Sequence, residues 1–403
     1  MNRRLLFDVA KYLLAVILLV WVIRANWAPS PTKAVASLGA STVGLCFAPQ
    51  GAGPLLAASA AFPGRSEPRG IGYVWQQHVV QRQPIAFGVL ALGFTLYSAA
   101  VFLTLIRWYL LVRALDLLIS FRDALRYGWI GIFFNTFLPG SVGGDIVKAA
   151  ALASTQSRRT ASVATVVMDR LIALWALVWF VALIGGVAWL AGGLVGPAGV
   201  ASRTVVSIAL TILACTASVW VLMGWLPERL AEGLAALLTR LPLVGGPLAE
   251  FWRAVWMYRQ RQLFVALSIV LTWVGQVGFV SSFYYCAYAL WTPELGPVPT
   301  FVEHFLLVPI GFVMQALVPT PGGAGAGEWG FAALYVLFHA AEANGVLASL
   351  VQRMFAWVMG LVGYIFYLSV RASKQFATEP TGQPASDSAT WPAETIASTE
   401  PVA

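Results

Sequence analysis

Long uncharged apolar runs, separated by short segments rich in arginine, follow one another along this chain. The runs at 85–106, 171–200, 204–226 and 263–290 each exceed the roughly 20 residues that a helix needs to cross the hydrocarbon core of a bilayer. With an apolar stretch near each end of the chain, the predicted spans are 5–23, 85–106, 160–190, 203–225, 263–290 and 345–370. The pattern therefore predicts an all-α integral membrane protein, a polytopic helix bundle with six full spans.

Two further apolar stretches are each interrupted by a cluster of proline and glycine that ends in a carboxylate. The first break, 139–145, reads Pro-Gly-Ser-Val-Gly-Gly-Asp, and the second, 319–328, reads Pro-Thr-Pro-Gly-Gly-Ala-Gly-Ala-Gly-Glu. The helix before the first break has about 15 residues, or roughly 22 Å, against roughly 30 Å of hydrocarbon. Each break therefore predicts a re-entrant helical hairpin, whose two short helices enter and leave the bilayer on the same side.

The distribution of lysine and arginine orients the chain, because cytoplasmic loops of membrane proteins are enriched in both. With both termini in the cytoplasm, most of the 25 lysines and arginines fall in cytoplasmic segments. The first hairpin then enters from the cytoplasm and the second from outside, which predicts an inverted repeat. In agreement, Asp145 precedes Arg170 by 25 residues, and Glu328 precedes Arg353 by 25. Inverted repeats with broken helices near the midplane are common in transporters.

Non-helical backbone inside the hydrocarbon region is tolerated only where protein buries it or water reaches it. The breaks therefore predict a central polar cavity, where the N-termini of the returning half-helices offer N–H groups to an anion. Under one hypothesis Arg170 and Arg353 hold a lipid phosphate, and Asp145 and Glu328 are exchangeable partners; under the other, these residues form structural ion pairs. The candidate substrate-binding residues are Asn135, Pro139, Gly143, Gly144, Asp145, Lys148, Asp169, Arg170, Pro319, Pro321, Gly322, Gly323, Gly325, Glu328 and Arg353.

Side chains near the breaks and at the end of one apolar run have more local interpretations. Asn135 and Gln315 each lie four residues before the proline of their break, and we expect their amides to satisfy freed backbone groups. Arg107-Trp108 follows the run 85–106 and is typical of a basic and aromatic anchor at a membrane interface, with headgroup binding as the alternative.

Composition narrows the classes of function. Apolar residues make up 59% of the 403 positions and charged residues 10%, whereas soluble domains carry about 25% charged residues. The net charge of +8 is explained by arginine and lysine on one side of a membrane, so nucleic acid is not an expected partner. The three histidines lack a second ligand at helical spacing and the three cysteines are an odd number, so we expect neither a metal nor another cofactor.

The predicted organisation has four parts. Residues 1–25 form a first transmembrane helix, and residues 26–83 form an irregular segment outside the cytoplasm. Residues 84–374 form the main membrane bundle, including an amphipathic stretch at 230–238 that we expect on the membrane surface. Residues 375–403 are rich in Ser, Thr, Pro, Ala and Glu, which predicts a disordered cytoplasmic tail.

Several of these segments together resemble one family. They are Arg107-Trp108, residues 135–145, Asp169-Arg170, residues 319–328 and Arg353. The set is similar to the lysylphosphatidylglycerol synthase transmembrane family, also called flippase-like domain proteins, over about residues 88–371. The resemblance implies an inner-membrane bundle with two re-entrant hairpins that moves a modified lipid between leaflets. Members often carry a basic residue where this chain has Gly327 and an arginine where it has Lys148.

The predicted function is that of a flippase-like transporter in the cell inner membrane, which moves an anionic phospholipid, polyprenyl-linked or aminoacyl headgroup between leaflets. We do not expect an enzyme, because the synthases of the family carry a soluble transferase domain after the bundle, where this chain has only a short tail. Two alternatives stay open. One is a membrane-embedded lipid-modifying transferase, with Asp145 as the nearest candidate base; the other is a non-catalytic partner of a separate lipid synthase or glycosyltransferase.

Overall fold

The computed structural model describes residues 3–27, 70–82, 84–138, 143–156, 158–192, 196–241, 245–318 and 320–378. Within these ranges all regular secondary structure is helical, which confirms the all-α prediction. The α-helices are α1 (Arg3–Ala25), α2 (Ile71–Trp75), α3 (Phe87–Ala114), α4 (Phe121–Phe137), α5 (Gly143–Ala153), α6 (Arg159–Leu190), α7 (Gly196–Trp225), α8 (Glu228–Leu238), α9 (Gly245–Gln260), α10 (Gln262–Ala289), α11 (Phe301–Leu317), α12 (Ala326–Leu337) and α13 (Glu342–Thr378).

Five helices in the described ranges are long and apolar enough to cross a membrane, which confirms a multi-pass membrane protein. They are Phe87–Ala114, Arg159–Val187, Arg203–Trp225, Gln262–Ala289 and Glu342–Val370. The remaining predicted span coincides with α1, where Leu13, Val16 and Ile17 are exposed. The count of six full spans remains a prediction.

Helices α3 and α10 pack closely against each other. Their backbones approach closely because Gly278 of α10 faces Ala100 of α3; a Cβ at Gly278 would lie 3.1 Å from the Ala100 Cβ. Two apolar clusters flank this pair. One surrounds Trp108 and includes residues of α4 and α5, and the other surrounds Phe331 and includes residues of α11 and α12. Each pair of short helices is therefore anchored in its own part of the core.

The two proline-glycine breaks each separate a pair of short antiparallel helices. Helices α4 and α11 have 17 residues each, and the residues after them, Leu138 and Val318, are extended, with ψ of 149° and 126°. A following proline disfavours the helical conformation at both residues, which explains why both helices end there. Helices α5 and α12, of 11 and 12 residues, return beside them. At about 1.5 Å per residue, all four are shorter than the roughly 30 Å hydrocarbon core.

Each break thus joins two short antiparallel helices, while the re-entrant character of these hairpins remains a prediction. Their entry into a bilayer from opposite sides, and the inverted repeat, remain predictions. The predicted irregular segment 26–83 falls mostly outside the described residues, but α2 continues into a π-helical turn, Gln76–Val80. The predicted tail begins inside α13, which runs to Thr378, and its remainder lies outside the described residues. The amphipathic stretch is helical, and Leu230, Leu234 and Leu237 of α8 are exposed along one side.

Candidate functional site

A buried ion pair holds the second break together. Glu328 in the first turn of α12 accepts a hydrogen bond from Arg353 Nε of α13 at 2.5 Å and from the Gly325 N–H at 2.8 Å. Arg353 also donates to the carbonyl oxygens of Gly322 at 2.9 Å and Gly323 at 3.3 Å. Both side chains of the pair are buried. The predicted Glu328–Arg353 pair is therefore present, and Arg353 has three protein acceptors at this break.

The glycines of the second break adopt backbone conformations that other residues disfavour. Gly322, Gly323 and Gly325 have φ of 56°, 69° and 84°, and Pro321, Gly322 and Gly323 form one 3₁₀ turn. Gln315 Nε2 donates to the Gly322 carbonyl at 2.7 Å, which confirms the predicted role of its amide. Because the Gly322 carbonyl is bonded to both Gln315 and Arg353, the turn is fixed from two sides.

Glycine at position 327, where the family resemblance implies a basic residue, lies against the Arg353 and Gln315 side chains. A Cβ at Gly327 would lie 3.3 Å from Arg353 Nη2 and 3.3 Å from the Gln315 side chain. A long basic side chain would therefore begin directly against the Arg353 guanidinium.

The first break has a comparable pair with different surroundings. Asp145 in the first turn of α5 accepts a hydrogen bond from Arg170 Nε of α6. Asn135 Oδ1 accepts from the Gly144 N–H at 2.8 Å, and Asn135 Nδ2 lies 3.4 Å from Asp145 Oδ1, which confirms the predicted role of this amide. Gly143 begins α5, and a Cβ there would lie 3.3 Å from Leu138 Cβ. Pro139 and Pro319 lie outside the described residues.

A second carboxylate, Asp169, extends the first pair into a network. Asp169 accepts from Arg107 Nε at 2.8 Å, and its other oxygen lies 3.4 Å from Lys148 Nζ. Lys148 Nζ also lies 4.0 Å from Asp145 Oδ1 and 4.6 Å from the centre of the Trp108 ring. The network of Arg107, Asp145, Lys148, Asp169 and Arg170 is called the first cluster below, and Glu328 with Arg353 the second cluster.

The prediction that Arg107-Trp108 anchors the protein at a membrane interface is wrong. Arg107 and Trp108 are both buried in the bundle, and Trp108 Nε1 donates to Thr165 Oγ1 at 3.3 Å. The sequence pattern placed a helix end at residue 106, but α3 continues to Ala114, so both residues lie two turns inside the helix. Asp169 on a neighbouring helix supplies the charge partner that makes burial of Arg107 possible.

The two clusters differ in net charge and in exposure. The first cluster contains three basic side chains and two carboxylates, which leaves one positive charge in excess, whereas the second cluster is neutral. The Arg170 side chain is 44% exposed, while the other ion-paired side chains of both clusters are at most 10% exposed. Arg170 is thus the accessible cation of this set.

The two breaks lie next to each other, and α1 contacts both. A Cβ at Gly322 would lie 3.4 Å from the Thr136 carbonyl oxygen at the end of α4. Tyr12 of α1 donates from its hydroxyl to the Phe137 carbonyl at 2.6 Å, and Leu18 of α1 packs against Gly325. The first helix is therefore part of the wall around the breaks.

Other polar features of the described residues have local explanations. His304 is buried, with Nδ1 at 2.8 Å from the Thr300 carbonyl and Nε2 at 2.9 Å from the Tyr335 hydroxyl. In the described ranges, no group of three or more His, Cys, Asp or Glu side chains is placed to hold a metal ion. A groove of about 490 Å³ is lined only by α7 residues between Arg203 and Ile212, away from both clusters.

Comparison with known proteins identifies the family. Residues 9–363 match the model of the family described as "Lysylphosphatidylglycerol synthase TM region". A search of curated proteins and a search of solved structures each found no match to this chain. The matched region contains both breaks, both clusters, four of the five long apolar helices and most of the fifth, Glu342–Val370. This chain therefore belongs to the lysylphosphatidylglycerol synthase transmembrane family.

Proposed function

We propose that this protein is a flippase-like transporter of the cell inner membrane, with both termini in the cytoplasm, and that it moves lipids with a net negative headgroup between leaflets. The observation that carries the proposal is the excess positive charge of the first cluster, together with the exposure of Arg170. Ionisable side chains at membrane depth are costly, and they commonly mark the paths of substrates or ions. A phosphate oxygen is the natural ligand for an accessible arginine in such a place.

The surroundings of Arg170 suit a lipid rather than a free phosphate. Exposed apolar side chains accompany it along the same side of α6, namely Val167, Leu171 and Leu174, and Ile146 of α5 is also exposed. In a bilayer such side chains face the acyl chains. A phosphate held by Arg170 would therefore leave the tail of the lipid in the hydrocarbon region.

Asp145 is the exchangeable partner in this proposal. It accepts a hydrogen bond from Arg170 when no lipid is bound. Asp145 itself is buried, and an unpaired buried charge is strongly unfavourable. When a phosphate takes its place beside Arg170, Asp145 retains Asn135 Nδ2 at 3.4 Å and Lys148 Nζ at 4.0 Å. The exchange therefore leaves neither carboxylate nor arginine without a partner.

The second cluster has a structural role in this proposal. Arg353 has Glu328 and two backbone carbonyls as partners, so a phosphate could reach it only by opening the turn at Gly322 and Gly323. Its neutral charge also offers an anion no net attraction. Arg353 therefore shapes the second break, and Arg170 binds the headgroup.

Substitution of Arg170 tests the proposed function. In liposomes with a fluorescent phosphatidylglycerol, we expect Arg170→Ala to slow movement between leaflets by roughly ten- to hundredfold, the factor for losing one charge-assisted hydrogen bond. The matched control is Arg126→Ala, which removes an exposed arginine from a surface pair with Asp123 and should leave the rate unchanged. Movement is measured by dithionite quenching of the outer leaflet.

Two results would contradict the proposal. Equal rates for wild type and Arg170→Ala would exclude Arg170 as the headgroup ligand. If wild type moves no anionic lipid but co-purifies with a lipid synthase or glycosyltransferase, the protein is a partner of that enzyme instead.

The charge excess also predicts selectivity among headgroups. Phosphatidylglycerol carries one negative charge, whereas its lysyl ester carries a net positive charge. Two unit charges about 6 Å apart interact by about 3 kcal/mol at an effective dielectric constant of about 20. The excess positive charge of the first cluster should attract phosphatidylglycerol and repel the lysyl ester, so we expect phosphatidylglycerol to be preferred by at least about tenfold. The measurement is competition between the two lipids in the liposome assay. A preference for the lysyl ester would show that the excess charge of the first cluster does not select the headgroup.

A further inference from the structure

The groove on α7 contains an arginine that no carboxylate balances within the described part of the chain. The groove has a volume of about 490 Å³, and its described lining is Arg203, Thr204, Ser207, Ile208, Thr211 and Ile212. Arg203 takes part in none of the ion pairs between described residues, and its Nε is buried without a hydrogen-bond partner among them. A buried donor without an acceptor is unfavourable, and more so when it is charged. An acceptor with negative charge would therefore complete the Arg203 guanidinium.

The Arg203 guanidinium lies beside an aromatic ring. Its Cζ is 5.9 Å from the centre of the Trp189 ring at the end of α6. A cation–π contact of this kind orients the guanidinium, but an indole supplies no hydrogen-bond acceptor. The contact therefore positions Arg203 and leaves it without an anionic partner.

Arg203 marks one end of a membrane span. The apolar helix Arg203–Trp225 has 23 residues. At about 1.5 Å per residue it covers about 35 Å, close to the roughly 30 Å hydrocarbon core, so its ends reach the headgroup level on opposite sides of the bilayer. Trp189, beside Arg203, is exposed, and tryptophan is enriched at membrane interfaces. Lipid phosphates are thus the anions nearest to Arg203.

The groove changes from polar to apolar along the helix. The hydroxyl residues Thr204 and Ser207 line it next to Arg203. At the other end Ile212 is exposed, and Thr211 already donates its hydroxyl to the Ser207 carbonyl at 2.8 Å. The distance from Arg203 to Ile212 along the helix axis is about 14 Å. A phosphate followed by an acyl chain has the same order of polar and apolar groups.

We propose that the α7 groove binds one membrane phospholipid whose headgroup phosphate carries no attached cation. Arg203 holds the phosphate, and an acyl chain lies along the apolar end of the groove. The groove is open to the side, so the chain enters directly from the bilayer.

This lipid is a bound neighbour of the bundle and not the transported substrate. Arg170 and Trp189 are 19 residues apart on α6, which separates the groove from the first cluster by roughly 28 Å along the helix axis. The inference therefore stands or falls independently of the proposed function.

Photoactivatable lipids test this contact. Phosphatidic acid and phosphatidylcholine, each with the same diazirine acyl chain, are incorporated with the protein in liposomes; the choline cation covers the phosphate of the second lipid. After irradiation, mass spectrometry of peptides gives the ratio of the two adducts on residues 203–212. We expect wild type to favour phosphatidic acid and Arg203→Gln to lower the ratio by roughly three- to tenfold. This is the factor for one charge-assisted hydrogen bond weakened by partial exposure.

Two further variants accompany Arg203→Gln. Arg203→Lys keeps the charge but lacks the planar fork of donors, so its ratio should lie between those of wild type and Arg203→Gln. Arg126→Gln is the matched control, because it removes an exposed arginine that is paired with Asp123 on another helix, and it should keep the wild-type ratio.

Four results would overturn the inference. Equal ratios for wild type and Arg203→Gln would exclude Arg203 as the phosphate ligand, and a wild-type ratio of one would show that α7 contacts only bulk lipid. Inorganic phosphate in large excess should leave the ratio unchanged, because it has no acyl chain; loss of the preference would show that the groove takes a free anion. Cys215 is exposed on α7, one turn beyond Thr211, so a high yield of disulfide between two chains through Cys215 would show that a second copy covers the groove.

Discussion

Replacement of Glu328 by alanine is expected to lower the unfolding midpoint of the detergent-purified protein. The decrease should be larger than for alanine at any other carboxylate in the first turn of a helix. The change leaves Arg353 buried without its carboxylate and the Gly325 N–H without an acceptor. Loss of one partner of a buried ion pair typically costs about 3–5 kcal/mol. Thermal unfolding followed by size-exclusion chromatography with fluorescence detection measures the shift.

Glu303 provides the matched control for this variant. It reaches back from the first turn of α11 and accepts from the Thr300 N–H at 2.7 Å, as Glu328 accepts from Gly325. Unlike Glu328, it has no arginine partner among the residues that the structure describes. Its replacement by alanine should therefore cost only the roughly 0.5–2 kcal/mol of a helix cap. The double variant Glu328→Gln, Arg353→Met should regain part of the loss, because no buried charge remains. Equal midpoints for the Glu328 and Glu303 variants would show that the ion pair does not stabilise the second break.

Replacement of Gly144 by alanine is expected to disrupt the hairpin of α4 and α5 and to abolish lipid movement. A Cβ at Gly144 would lie 1.8 Å from the Gly131 carbonyl oxygen and 2.7 Å from Asn135 Cγ. Since the first of these is a backbone atom, α4 and α5 must separate. Their separation would break the Asn135–Gly144 hydrogen bond and displace Asp145 from Arg170. Both the unfolding midpoint and the liposome rate should fall.

Gly186→Ala in α6 is the control for this substitution. A Cβ at Gly186 meets no atom within 4 Å, so the change should be neutral or stabilise the helix by up to about 1 kcal/mol. Wild-type stability and transport in Gly144→Ala would show that the close approach of α4 and α5 is dispensable.

The two breaks have similar sequences but different environments. The interval from carboxylate to arginine is 25 residues in both, and both pairs form. Yet Arg353 is enclosed by the glycine carbonyls of its own break, whereas Arg170 is half exposed beside apolar surface. The sequence left open whether both arginines hold a phosphate or both form structural ion pairs. The proposal assigns phosphate binding to Arg170 and a structural role to Arg353.

Local rules in the sequence determined the helices, the breaks and the partners nearest to the breaks. A proline fixes the end of the helix before it, as Leu138 and Val318 show, and an amide four residues earlier lies close enough to bond the freed backbone. The ion pairs followed from equal intervals and from the high free energy of an unpaired charge in lipid. The length of apolar runs was enough to identify a membrane protein.

Only the tertiary structure decided which side chains join the site from other helices. Burial of Arg107 depends on Asp169 of α6 and Thr272 of α10, and Gln352 of α13 bonds the Phe279 carbonyl of α10. The apolar pattern could not show this, because α10 is apolar around most of its circumference and gives no preferred face. The side of a helix that faces the interior is set by its contacts with neighbouring helices. The sequence of one segment does not show which helices those are.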